Sequence, residues 1–548
     1  MARKSDKAVP IDTPASRWLE IALILLVFFV HGGTAVPHVN EAHYLVKAKH
    51  YWNPEWCAGD LFLESANPHL VFYWTVGLLT KWFSLPTVAW MGRFAAWGGL
   101  AWAWQRLSWR IVPVKYLSVV TAMLFVTLIA WGNFAGEWVV GGVEAKCFAY
   151  IFVFWALAEI ARAHWQPVWP LLGIASAWHV LVGGWSVVAA LVVWSLEDKS
   201  SRPALRAMFP FLILGGILAL PGVVPGLMLS VDVPADVRHE ADRIYVFERL
   251  PHHLAPLALA SSELLLRAWR FGLLLAAFLW LWRACGSLPS RSLLQLTRIE
   301  RFAAVSVVCG ALGLVWEIAT WSFPALSASL LKYYWFRLAD IAVPLAISLS
   351  AAWLFCIVAH RRSFAIMLLG AIGVIVPGAL LLGTAILRAQ ENTAPSDSRM
   401  SDRFAWQEAC GWVLKNTPQD SLFLIPRMGQ SFKWYAQRPD YFNWKDIPQD
   451  SASIVEWFRR NRELYFHENE WGEVVPYYSL GEVGTEHIQK IASQQGIDYV
   501  LAKEYPPLAL PIVFENDWYT IYQTNVPDPT QALESTETPD NTGSNDSQ

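Results

Sequence analysis

WLEIALILLVFFVHGGTAVPHVNEAHYLVKAKHYW, residues 18–52, sets a long apolar run directly against a loop crowded with ionisable groups. A hydrocarbon core of about 30 Å needs roughly 20 apolar residues in a helix, and residues 18–37 supply them. A cleaved signal peptide has a shorter apolar run, and Glu20 lies inside this one, so a retained helix is expected. Pro37 ends the span. Beyond it Asn40 can cap a helix in which Ala42, Leu45, Ala48 and Trp52 recur every three or four residues. That spacing suits a helix lying in the membrane interface, with Glu41 and His43 at its start beside the bilayer surface.

The composition agrees with that opening. Of 548 residues 55% are apolar and only 16% charged, where a soluble domain carries about 25%. Trp occurs 32 times, and indoles favour the boundary between membrane and water. The net charge is −3, but residues 527–548 hold five acids and no base, so the remainder sums to +2. Nothing in this balance points to a nucleic-acid partner. Six cysteines stand singly, neither a disulfide framework nor a metal knuckle. The chain reads as a polytopic membrane protein.

Further apolar stretches lie at 116–132, 146–162, 207–229, 264–284, 302–320, 338–359 and 364–388. Residues 167–197 read as two short helices meeting at Gly183-Gly184. Residues 69–104 hold two apolar runs split near Leu85-Pro86, with Lys81 and Arg93 inside them, and are expected to make one net crossing. With the N-terminus inside, the inner segments carry 17 Lys and Arg. The outer loops 38–68, 133–146, 230–262 and 321–337 carry 8, although they are longer. This bias predicts about 11 crossings, residues 1–17 in the cytoplasm and the C-terminus outside. After residue 389 charges return. A helical pattern at 402–415 sets Phe404, Ala405, Ala409, Trp412 and Val413 on one side. Short β-rich runs at 422–425, 499–502, 511–514 and 518–522 alternate with helical patterns at 451–465 and 484–494. This predicts a small α/β domain over 389–526 with a partly parallel sheet. Residues 527–548 have the composition of a disordered tail.

Ionisable groups at a membrane boundary are costly to desolvate, so the four outer loops are the candidate sites. In the first, Glu41 can take a proton from an acceptor hydroxyl, or simply sit at a helix N-terminus where the dipole favours an acid. In the second, Glu137, Glu144 and Lys146 stand among four glycines, which suits a site, a metal ligand or a tight turn. The third crowds Arg249, His252 and His253 with other titratable groups; Arg249 with a histidine suits a phosphate better than the His pair suits a metal. In the fourth, Lys332 and Arg337 snorkel to headgroups or grip a phosphate between helices. His179 reads as a core histidine. In the soluble end, Arg427, Lys433 and Arg438 among the aromatics of 426–444 suit a sugar or anionic lipid head, and suit plain packing better.

From Asn40-Glu41 onward the chain resembles the GT-C superfamily of integral membrane glycosyltransferases, with its protein O-mannosyltransferase-like and aminoarabinose transferase-like members. The matching features are NEAHYLVKAKHYW at 40–52, Gly59-Asp60, Pro68-His69, and Arg93 early in the next run. A membrane body then leads to an outer α/β domain ending in DYVLA, PIVFEN and WYTIYQT. Among such proteins it looks closest to an uncharacterised bacterial group. The resemblance implies a mainly α fold in the bacterial inner membrane. It implies transfer of a sugar from a polyprenyl-phosphate carrier to an acceptor on the extracytoplasmic face. Where the family has Asp-Glu or a lone Asp, Asn40 stands here, so the base falls on Glu41. Asn40, His43 and Asp60 would line the substrate, the second-loop acid would be Glu137 or Glu144, and Arg249, Lys332 or Arg337 would hold phosphate. A divalent metal, the sugar and the acceptor stay open. The alternative is a non-catalytic transporter or assembly scaffold for a cell-envelope polysaccharide or lipid, for which Glu317 and Arg93 would mark a path through the membrane.

Overall fold

Pro14–Gly32, the first helix, starts at Thr13, whose side chain accepts from the Ser16 amide, and stops at Gly32, five residues short of Pro37. The computed structural model to which it belongs describes residues 13–199, 202–288, 290, 292–359, 363–390 and 393–524. The tail 527–548, residues 1–12, and Arg291, Arg361 and Arg362 lie outside these. The chain divides into two units. One comprises Met1–Pro54, Phe62–Ser398 and Ile447–Phe458; the other comprises Glu55–Leu61, Arg399–Asp446 and Arg459–Gln548.

The first unit is helical. Six of its described helices are long and apolar enough to cross a membrane: Pro14–Gly32, Leu205–Met228, Ser261–Gly286, Leu293–Ala319, Arg337–Val358 and Phe364–Gln390. Leu117–Gly132, Val168–Trp178 and Val180–Ser195 are shorter apolar helices. Two more, Leu85–Ile111 and Ala145–Ala161, bury charged groups. Phe364–Gln390 buries only Pro377 and Leu381, as a helix facing lipid on nearly all sides does. Arg337–Val358 is the reverse, buried along most of its length at the centre of the bundle. The protein is a multi-pass membrane protein.

In 69–104 the chain divides near Leu85-Pro86 as expected, into the single turns Leu70–Trp74 and Gly77–Lys81 and one long helix, Leu85–Ile111, which Ser84 caps and Pro86 starts. Two expectations need correction. In 167–197 the break falls at His179 and not at Gly183-Gly184. His179 is extended, at φ −151° and ψ 102°, and its ring accepts from the Val182 amide, capping the second helix. Gly183 lies within that helix and serves packing: a Cβ there would lie 2.2 Å from Ser176 Oγ. Asn40 stands at the start of Glu41–Trp52, but its side chain does not cap it.

The second unit is α/β. Its four-stranded sheet runs in the order Phe423–Leu424, Tyr499–Lys503, Tyr519–Gln523, Ile512–Glu515. The first pair is parallel and the others antiparallel. Its core gathers Trp406, Ala409, Cys410 and Val413 of the helix Arg403–Asn416 against Phe423, Ile425, Leu501 and Ile521. The buried face is thus one residue round from the expected one, and Phe404 points outward at 67% exposure. A hairpin of Phe466–Glu468 with Val474–Pro476 was not expected from the pattern.

Candidate active site

Glu41 and Arg93, 52 residues apart, form a fully buried bidentate pair, with Nε to Oε1 and Nη2 to Oε2 both at 2.6 Å. The remaining lone pairs of Glu41 accept from the Val143 amide at 2.8 Å and the His38 amide at 2.7 Å. A carboxylate has about four acceptor positions, so none remains for a substrate proton. Arg93 also donates to the Thr34 carbonyl. The pair therefore clamps the end of the first helix, the first loop and the second loop to Leu85–Ile111. Gly142 permits the approach: a Cβ there would lie 3.0 Å from the Glu41 carboxyl carbon.

Beside this clamp lies a second cluster with two acids and two bases. Glu144 Oε2 accepts from Asn40 Nδ2 at 2.8 Å, and Lys146 Nζ lies 2.9 Å from Glu144 Oε1 and 3.3 Å from Glu137 Oε2. Arg337 Nε pairs with the same Glu137 oxygen at 2.9 Å, and its Nη1 lies 3.1 Å from His179 Nε2. Tyr150 donates to Glu137 from inside the bundle. The His69 ring stands 5.5 Å from His179, and the Tyr44 hydroxyl meets His69 Nε2 at 3.1 Å. The network thus runs from Glu41–Trp52 through the second loop to the first turns of Ala145–Ala161 and Arg337–Val358. Trp138 and Tyr334 cover the two cations, with Lys146 4.2 Å from the Trp138 ring and Arg337 3.9 Å from Tyr334.

Glu144 Oε1 is buried and makes no aligned hydrogen bond; Lys146 Nζ meets it as an ion-pair contact at 2.9 Å. An under-coordinated carboxylate oxygen next to paired cations can accept a proton while the cations hold an anion.

Second-loop geometry depends on Asp340, which accepts from the amides of Phe134, Ala135 and Glu137. His253 binds the Ala135 carbonyl and packs near Tyr334. Burial, and then the neighbouring His252, hold His253 well below the usual histidine range, so it is neutral at pH 7 and offers no charge to a phosphate.

The structure thus brings Asn40, Glu137, Glu144 and Arg337 together, with Glu41 and His253 adjoining them. His43 packs on Phe62, with ring centroids 4.2 Å apart. His252 stacks on His253. Arg249 is buried at the end of the turn Ile244–Arg249. Lys332 is taken by Asp242 at 2.7 Å. Asp60 lies in the second unit, 3.0 Å from the buried Lys433, which also pairs with Asp440 and Asp446. Arg438 donates to the Thr417 and Leu414 carbonyls, and Arg427 stacks on Trp444, so the cations of 426–444 take part in packing. Glu317 accepts from the Leu257 amide and Arg93 is consumed by Glu41, so these two form no relay. Among the described residues no group of three His, Cys, Asp or Glu converges as a metal site does. Sequence reasoning grouped Lys146 with Glu137 and Glu144 and took His69 only as the start of a helix, and it passed over Tyr44 and the break at His179.

A family model described as a domain of unknown function, DUF6798, matches residues 404–464. No curated protein matches the sequence. Among solved structures, the chain is similar to the oligosaccharyltransferase of Archaeoglobus fulgidus in complex with Zn and sulfate. There the identity is 13% over 89% of this chain and 67% of that one, with a TM-score of 0.46. It is also similar to ArnT from Cupriavidus metallidurans bound to undecaprenyl phosphate, with 15% identity over 93% of this chain and 98% of that one and a TM-score of 0.44. Both are GT-C glycosyltransferases, the superfamily that the sequence resembles. At TM-scores below 0.5 these likenesses transfer no chemistry to this chain.

Proposed function

We propose that the protein is a membrane glycosyltransferase that moves a sugar from a polyprenyl-phosphate carrier to an acceptor on the extracytoplasmic face of a bacterial inner membrane. The observation that carries this reading is the convergence of Glu137, Glu144, Lys146 and Arg337 at one end of the spans, buried and with one acid oxygen lacking an aligned hydrogen bond. The resemblance of residues 40–93 to the GT-C pattern supports it.

In this reading Glu144 Oε1 takes the proton of the acceptor hydroxyl as its oxygen bonds to the anomeric carbon. The bond from that carbon to the carrier phosphate breaks, and its electron pair leaves on the phosphate. Arg337 and Lys146 neutralise the charge that develops there, the largest contribution such a site can make. Glu137 keeps the two cations in place until the phosphate arrives. Glu41 becomes a positioning residue, because its oxygens are all engaged by Arg93 and two amides.

The test is incubation of the purified chain in lipid with polyprenyl-phosphate sugars, following donor consumption by mass spectrometry. Wild type should consume a donor. Glu144→Gln should slow transfer by about 10²-fold or more, measured on protein that remains folded. Full activity in Glu144→Gln would remove the base assignment. If folded wild type consumed no donor, the transporter or scaffold reading would replace this one.

A further inference from the structure

Of the three cations in 426–444, Lys433 and Arg438 are spent inside the α/β unit, on carboxylates and on backbone carbonyls. Arg427 is spent on one side only. Its guanidinium lies 4.3 Å from the Trp444 ring, 5.9 Å from Tyr465 and 5.7 Å from Phe466, and its Nε donates to Asn461 Oδ1 at 3.1 Å. Its two Nη groups make no hydrogen bond and no ion pair among the described residues. Burial lowers the pKa of Arg427, and only Tyr465 pulls the other way, so no carboxylate balances its charge.

Arg427 lines an open cleft of the same unit, which encloses about 230 Å³. Lys503, Ser479 and Tyr478 line it too, beside an apolar wall of Pro426 and Ala502. Lys503 ends the strand Tyr499–Lys503, is exposed, and makes no ion pair among the described residues. Ser479 is buried, and its Oγ accepts from the Glu482 amide, which leaves its O–H to donate. Tyr478 is 83% exposed, so its ring is open to a ligand. Both charged side chains in the lining are cations. A neutral sugar needs acceptors for its hydroxyls as well as donors, whereas an oxyanion needs donors alone.

We infer that this cleft binds one acidic sugar residue, with its carboxylate or phosphate on the Nη edge of Arg427 and beside Lys503. Trp444 and Asn461 hold the guanidinium in place, so its paired N–H groups are set to meet two oxygens side by side. The sugar ring then lies against Tyr478 and the apolar wall, and Ser479 donates to one of its oxygens. Sites for drug-sized ligands occupy about 300–1,000 Å³, so this smaller cleft suits a single residue of a saccharide. The inference concerns binding by the α/β unit and does not depend on the proposed transfer reaction.

The test uses the full chain in a deuterated mild detergent and reads affinity by saturation-transfer NMR. The probes are glucuronate, glucose 6-phosphate and glucose, with sodium phosphate as competitor. At least one acidic sugar should bind, the better of the two naming the anionic group, and glucose should bind about tenfold more weakly or worse. Inorganic phosphate should displace the sugar only at far higher concentration. Arg427→Gln should weaken binding by about tenfold or more. If that variant does not fold, Lys503→Gln, at an exposed position, should weaken it by about two- to fivefold, and Tyr478→Ala should weaken it as well. Lys415→Gln, exposed on the helix Arg403–Asn416 and outside the cleft, should leave it unchanged. Four results would each overturn the inference: no binding of either acidic sugar, glucose or inorganic phosphate binding as tightly as they do, affinity unmoved in the cleft variants, or an equal loss in Lys415→Gln.

Discussion

At the scale of single residues, burial decides which acid can act. Glu41 has no free lone pair and Arg93 no other acidic partner in its contacts. Removing one member of a buried ion pair leaves the other uncompensated, at about 3–5 kcal/mol. Glu41→Gln should therefore lower the unfolding temperature, and Glu144→Gln, which leaves Lys146 with Glu137 at 3.3 Å, should lower it less; scanning both variants side by side, with transfer measured on the folded protein, separates clamp from base. If Glu41→Gln melts like wild type yet transfers nothing, the base role returns to Glu41. The second unit offers a different residue-scale test. Asp60, Asp440 and Asp446 surround Lys433 in the interior. Burial pushes Asp440 up to about 7, against the opposing pull of Lys433 and with Asp60 and Asp446 adding to the rise. Burial alone would lower Lys433, but Asp440, Asp446 and Asp60 together hold it well above its usual range, so it stays charged. An acid whose folded value is raised binds its proton more tightly in the folded state. Its stabilising contribution is present below about pH 4 and fades as pH rises through 7. Denaturant unfolding followed in this region should show a loss of about 1–3 kcal/mol between pH 5 and 8, and Asp440→Asn should flatten it. An equally steep loss in the variant would place the titration elsewhere.

At the scale of elements, apolar length was legible and packing was not. Twenty apolar residues announce a span whatever surrounds them, which is why the long helices and the strands of the α/β unit sit close to where the sequence put them. A glycine pair, by contrast, is ambiguous. Gly183-Gly184 has the composition of a break, yet the chain breaks at His179, where a ring nitrogen caps the next helix. The first glycine is needed because Ser176 of the preceding helix lies where its Cβ would stand, and nothing lies within 4 Å of the second. Membrane helices approach closely through such small residues. Gly183→Ala should cost about 1–3 kcal/mol by overpacking. Gly184→Ala should be neutral or stabilise by about 0.5–1 kcal/mol. Thermal unfolding of the two variants reads this directly; equal effects would mean that the pair acts as a hinge after all. The site was half legible for the same reason. Asn40, Glu137, Glu144 and Arg337 stood out as ionisable or polar groups at membrane boundaries. That Arg93 would take Glu41 and that Arg337 would reach Glu137 depends on contacts across 52 residues and more, which no periodicity encodes.

At the scale of the whole membrane unit, helix ends sort themselves into two sets by their own contacts. One set holds Glu41 with Arg93, Glu137 with Arg337, Arg337 with His179, Arg388 with the carbonyls of Val30 and His31, and Leu257 with Glu317. The other holds Glu20 with Trp109, Arg106 with Glu159, Arg298 with Ala161 and Glu197, and Cys285 with Ser350. We predict that the six long apolar helices, the three shorter ones, Leu85–Ile111 and Ala145–Ala161 each cross between the two sets, eleven crossings in all. An odd number would put the two ends of this unit on opposite sides of the bilayer, with the excess of Lys and Arg in the inner segments choosing the side. Asp236 is exposed in the segment that joins two helices at the site end, and Ser287 is exposed after Ser261–Gly286 at the other. In intact cells a membrane-impermeant maleimide should label Asp236→Cys, and label Ser287→Cys only after permeabilisation. Native background should be small, because Cys57, Cys147, Cys285, Cys309 and Cys410 are buried and only Cys356 is partly open. Labelling of both positions from one side would break the odd count. Labelling of Ser287→Cys alone would put the Glu144 cluster in the cytoplasm, where a lipid carrier that presents its sugar outside could not meet it.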